Sequence, residues 1–116
     1  MRNSASALLS LWANADRYIG LLATPTREIK AAGYARIRIP ARGWAMEVTS
    51  DGATLTASAE VAFSGFTSGP IVGFFVSDRA DGDVLFPSLF DSGARALVSA
   101  TDVIFITPFI TLKKAP

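Results

Sequence analysis

ATLTASAEVAFS, residues 53–64, is the stretch on which the fold reading turns. Leu55, Ala57, Ala59, Val61 and Phe63 recur at every second position, with Thr54, Thr56, Ser58 and Glu60 between them. Successive side chains of an extended chain point to opposite faces, so this period lays the apolar residues on one side. The pattern predicts a half-buried strand, either continuous or split in two near Ser58. Ser50-Asp51-Gly52 just before it has the chemistry of a hairpin turn. WAMEV (44–48) precedes that turn as a short strand, with Trp44, Met46 and Val48 on one face.

Outward from there the chain keeps producing strands. IVGFFVS (71–77) is apolar at both parities, the mark of a strand covered on both faces. RYIGLLA (17–23) reads as a first buried strand, and TPTREIKAAG (24–33) as a turn-rich loop. From Tyr34 the period is two again. Ala35, Ile37 and Ile39 are expected to enter the core, with Tyr34, Arg36 and Arg38 facing outward, until Pro40 ends the strand or confines it to an edge. VLFPSLF (84–90) resumes the sheet, RALVSA (95–100) is a strand candidate, and VIFITPFITL (103–112) is a last strand interrupted at Pro108. SGFTSGP, DRADGD and DSGA are the turns between them. At the start, Asn3 and Ser4 are cap-type residues, and Ala5, Leu8, Leu9 and Trp12 share a helical face, which predicts a helix over about 4–14. That helix is either a lid over the core or an element that docks on a neighbouring subunit. The tail, 113–116, is polar and expected to be loose.

One helix and about eight short strands, with turns every 8–12 residues, point to a mainly β, single-domain antiparallel β-sandwich or flattened barrel. The 116 residues suit one domain. A chain this size buries roughly 65% of its unfolded surface, enough for one core. Half the residues are hydrophobic and only 18% are charged. Either partners cover part of the surface or the core is unusually well filled. The apolar run ALLSLWA is too short and too weakly preceded by charge for a signal peptide. No apolar run has the length of a membrane span. The chain is read as soluble and made in the cytoplasm of its producer.

The chemistry is sparse. With no Cys and no His, thiolate chemistry, the usual general base and the usual transition-metal ligand are all missing. Lys30, Lys113 and Lys114 have no Ser at nucleophile spacing, and no phosphate-binding or nucleophile-elbow motif occurs. Glu28, Glu47 and Glu60 are carboxylates that spacing does not pair. Asp78, Asp81 and Asp83 flank Gly82 and offer hard oxygen ligands, yet the spacing fits turn formation better than a calcium loop. No catalytic residue, cofactor or metal site is assigned. The candidate interface residues are Tyr34, Arg36, Arg38 and Arg42. Their face is either plain solvated surface or a protein–protein contact. Nucleic acid is disfavoured, because the net charge is only +1 and Tyr34 alone supplies an aromatic there. Most of Phe74, Phe75, Phe86, Phe90, Phe105 and Phe109 should be core, with a minority on a subunit contact. Trp12 and Trp44 are both expected to be buried.

The order of segments resembles a family of small tailed-phage virion proteins, labelled tail-fibre-like or minor tail proteins. YIGLL (18–22), REIKAAGYARI (27–37), VAFSG (61–65), VGFFVSDRADGDVLF (72–86) and LVSATDVIFI (97–106) fill its slots in order. The most specific pieces are Gly33-Tyr34-Ala35-Arg36 and Gly73-Phe74-Phe75 with the Asp78 loop. The resemblance implies a non-enzymatic bacteriophage structural protein, tail- or fibre-associated and located in the virion. Its partners would be copies of itself, as a trimer or ring, and larger virion proteins, with no membrane involved. A capsid-decorating protein is the alternative within that class. A carbohydrate-binding sandwich is the alternative outside it, and would present exposed aromatics on a concave face.

Overall fold

A computed structural model describes residues 4–113. Helix α1 (Ser4–Ala13) is followed by ten strands: β1 (Arg17–Thr24), β2 (Arg27–Glu28), β3 (Ile37–Ile39), β4 (Trp44–Thr49), β5 (Gly52–Ala57), β6 (Val61–Phe63), β7 (Gly73–Ser77), β8 (Ser88–Leu89), β9 (Ile104–Ile106) and β10 (Phe109–Lys113). All pairings are antiparallel, as in a β-sandwich. One sheet runs β2-β1-β7-β8, with β3 also on β1; a second runs β10-β5-β4; β6 and β9 form a third pair.

The 53–64 stretch takes the split form. Leu55, Ala57 and Phe63 are buried and Val61 is half-buried, while Ala59 is exposed. The partner ribbon breaks at the same level. Phe109 lies opposite Thr56 and Ile106 opposite Val61, so the four residues 57–60 face only two, Thr107 and Pro108, with Pro108 opposite Ala57. Extra residues on one side bend a ribbon, and here the bend hands the chain from the β10-β5-β4 sheet to the β6–β9 pair. Pro108, which has no N–H to lose, accepts the Ala57 N–H through its carbonyl at 2.9 Å. The predicted hairpin joins β4 and β5, with Ser50 and Asp51 as its two loop residues and Gly52, expected in the turn, already in β5 and paired with Thr49.

The core lies between the sheets and joins Leu9 of α1, Ile19 and Leu21 of β1, Leu55 of β5, Phe74 and Val76 of β7, and Ile110 of β10. All of β7 is buried, as a strand apolar on both faces requires.

Several expectations are corrected. The 24–33 loop contains β2, which pairs Glu28 with Leu22. RALVSA is not a strand: beyond one bridge from Arg95 to Ile71 it runs as irregular chain. VLFPSLF contributes only β8 to the sheet. On α1, Ser6 and Leu9 are buried and Leu8 is 58% exposed, so the buried stripe is displaced from the predicted one. Met46 and Val48 share the face of buried Trp44 but sit on an edge strand that α1 only partly covers, and both are substantially exposed. Lys113 ends β10 rather than starting a loose tail; the remainder of that tail lies outside the described residues. Of the phenylalanines, Phe74 and Phe75 are core, Phe86 and Phe90 half-buried, and Phe105 and Phe109 exposed.

Candidate functional site

The four candidate interface residues do not form one face. Gly33 adopts φ +88°, where a side chain is strained. The turn it makes is closed by the Tyr34 N–H on the Ala31 carbonyl at 3.1 Å. The chain at 34–36 is therefore not yet a strand, and the alternation predicted from Tyr34 begins only at β3. Ala35 is exposed, whereas Tyr34 and Arg36 turn inward, the reverse of the expectation.

Arg36 lies across the β1–β7 sheet with its guanidinium 4.7 Å over the Phe75 ring. Its side chain is 3% exposed. All five of its N–H donors are engaged. Nε and Nη2 donate to the two carboxylate oxygens of Glu28, at 3.0 and 2.9 Å. Nη1 donates to Ser77 Oγ at 3.1 Å and to the Arg79 carbonyl at 3.0 Å, and Nη2 also donates to the Gly82 carbonyl at 2.6 Å. This is the planar fork matched to a carboxylate, with its remaining donors fastening the 78–83 loop.

The Tyr34 hydroxyl adds a third link. It donates to Glu28 Oε2 at 2.5 Å and accepts the Leu21 N–H at 3.0 Å. Its ring packs against Phe63 and Phe66. Only a glycine at position 20 allows this approach, because a Cβ there would overlap the Phe75 ring and the Tyr34 hydroxyl. Burial, and then the bond to Glu28, push the Tyr34 hydroxyl well above its ordinary pKa. The same carboxylate holds the Arg36 guanidinium above its own.

The other two arginines are apart from this cluster. Arg38 is 61% exposed and reaches Asp16 Oδ2 at 3.2 Å, while Asp16 Oδ1 accepts the Ala41 N–H. Arg42 is exposed in a turn at φ +67°, its N–H on the Ala13 carbonyl.

Glu28 is the residue the sequence did not single out. It sat in an apparent loop eight positions before Arg36, and no periodicity linked the two. The Asp78–Asp83 loop behaves as a docked turn: Arg79 and Gly82 give their carbonyls to Arg36, and Asp83 gives its own to the Ser77 hydroxyl. Among the described residues, no three carboxylates converge on a metal-sized site. An open cleft of about 520 Å³ lies beside the cluster, between Lys30, Ala35 and Asp81. Trp44 is buried as expected, whereas Trp12 is half-buried, with the Arg17 guanidinium 3.7 Å over its ring. Among the described residues, no helix is long and apolar enough to cross a membrane.

No family model, curated protein or solved structure matches this chain.

Proposed function

We propose that this chain is a non-enzymatic structural subunit of a tailed-phage virion, associated with the tail or fibre, that assembles with copies of itself and with larger virion proteins. The observation that carries the reading is the distribution of its large apolar side chains. Leu8, Leu11, Val98 and Phe105 are each more than half exposed, and Met46, Val48 and Phe109 are substantially so. Leu8 and Leu11 line one apolar cleft with Trp12, Phe86 and Leu112, and a contiguous exposed patch of that kind on a chain of low charge supports a contact surface. The ordered resemblance of YIGLL, GYARI and VGFFVS to the virion-protein pattern supports the particular class. The most engaged polar cluster, Arg36–Glu28–Tyr34, spends its donors within the chain, in keeping with a scaffold role.

The contact surface is drawn from sheet edges and apolar rims, not from the buried arginine. Of the four candidate residues, Arg38 and Arg42 are the two able to meet a neighbour. Sedimentation equilibrium on the full chain tests self-association. The expected result is a mass that rises with concentration to at least twice 12.3 kDa. A constant 12.3 kDa up to the solubility limit contradicts it.

A further inference from the structure

Among the described residues, the edge strand β4 has no strand on its outer side, and the direction of its backbone groups follows from its neighbours. Ser58 donates to the Gly43 carbonyl, and Ala57 donates to that of Pro108. Both bonds join directly opposed residues, so these are hydrogen-bonded pairs of the two ladders. Alternation then aims the N–H and C=O of Ala45, Glu47 and Thr49 at β5, and those of Trp44, Met46 and Val48 away from the sheet. β4 pairs with β5 alone among the described residues. The outward row carries apolar side chains on a single face, with Met46 36% and Val48 49% exposed. Native edges are ordinarily blunted by short length, charged side chains, proline or bulges. β4 has six residues, no proline and no bulge, and its one charged side chain is Glu47.

The other free edges are shorter or carry a blunting residue. β2 and β8 have two residues each, and β6 and β9 three each. β3 is three residues long and ends at Pro40. The β10 edge ends in Lys113 and lines one cleft with Pro87 and Ser88.

We propose that β4 is the seam at which a second copy of this chain pairs, antiparallel, about a two-fold axis through Met46. This rests on the self-association reading above and names the surface that serves it. The strand is self-complementary in that register. Trp44 of one copy opposes Val48 of the other, Met46 opposes Met46, and the three outward residues exchange about six hydrogen bonds. Glu47 falls opposite Ala45, so like charges do not meet. Arg42 comes to lie at the same end as the partner copy's Ser50–Asp51 turn. Arg42 and Asp51 are exposed, and neither forms a salt bridge among the described residues. The two-fold axis stands perpendicular to the sheet, so both α1 helices stay on one face. Met46 and Val48 of the two copies then line the furrow between them. The result is one continuous six-stranded sheet, β10-β5-β4 and its mirror in sequence order.

The chain has no cysteine, so a single introduced thiol reports the axis cleanly. In a hydrogen-bonded antiparallel pair the Cα atoms stand about 5.5 Å apart, within disulfide range. Met46→Cys should oxidise to a covalent dimer at least ten times faster than Thr111→Cys, whose residue is exposed on the β10 edge. Equal rates, or no dimer while the wild-type chain sediments as an oligomer, overturn the β4 seam and leave self-association standing. A wild-type chain that remains monomeric at every concentration removes the self-association reading and the seam with it. Met46→Lys brings two ammonium groups together on the axis and leaves the β5 ladder untouched. It should halve the mass of the pair while keeping the wild-type circular dichroism spectrum. Retention of the pair by a folded Met46→Lys chain also overturns the proposal.

Discussion

Glu28→Ala tests the buried cluster most sharply. The substitution leaves the Arg36 guanidinium in place, with its side chain 3% exposed and its carboxylate partner gone. Nε loses its acceptor, Nη2 keeps only the Gly82 carbonyl, and the Tyr34 hydroxyl loses the group it donates to. Removing one member of a buried pair costs about 3–5 kcal/mol, because the other charge stays buried without compensation. Glu28 is itself 26% exposed beside an open cleft, so water offsets part of that loss. The orphaned tyrosine bond adds about 1 kcal/mol. The expected destabilisation is about 3–4 kcal/mol, a large share of the roughly 5–15 kcal/mol of a typical domain. In urea unfolding followed by circular dichroism, the midpoint should fall with the m-value unchanged. Adding Arg36→Met to Glu28→Ala removes the buried charge as well, and should recover at least about half of the loss. A midpoint for Glu28→Ala within about 0.5 kcal/mol of wild type, or a double variant weaker than the single one, would show that the cluster does not fasten the fold.

Tyr34 links the cluster to pH. Burial and the bond to Glu28 raise its folded pKa above the ordinary tyrosine value of about 10, so the native state holds its proton more tightly than the unfolded chain. Stability from this group is complete below about pH 10 and falls as pH rises beyond it, since the unfolded state ionises first. Tyr34→Phe should cost about 1–2 kcal/mol at neutral pH and remove that part of the alkaline loss. Urea midpoints from pH 8 to 12 read both effects, and identical alkaline slopes in the two proteins contradict the assignment. Arg38→Ala breaks only an exposed pair with Asp16 and should change stability by less than about 1 kcal/mol; a larger change would mean that Arg38 does more than the exposed geometry allows. Gly20→Ala forces a methyl against Phe75 and Tyr34 and should cost about 1–3 kcal/mol in thermal or urea unfolding, whereas a neutral result would mean that those rings do not close on β1 at Gly20.

The parts of the fold that the sequence reveals are those where one face or both faces of a strand are buried. The alternation of Leu55, Ala57, Val61 and Phe63 announces β5 and β6, and the unbroken apolar run announces β7. Pro108 marks the corner between β9 and β10. Short elements escaped because too few residues carry the period: β2 has two, and β8 two more. Leu97 is buried although its segment is irregular, so apolar content there mimics a strand. The candidate site was half legible. Tyr34 and Arg36 stood out, yet their direction was inverted, because a period of two assigns faces only where the chain is extended, and the Gly33 turn delays that until Ile37. A charged side chain also reads as solvated until its partners are known. Arg36 is buried because Glu28, Ser77 and two loop carbonyls, up to 46 positions away, satisfy it together. Nothing local to GYARI announces those partners.

The virion role is tested most directly by quantitative mass spectrometry of purified particles from a phage that encodes this chain. The expected result is the chain at a fixed copy number per particle, retained through density-gradient purification and salt washing. Its absence from intact particles, while it accumulates in infected cells, would contradict the structural role.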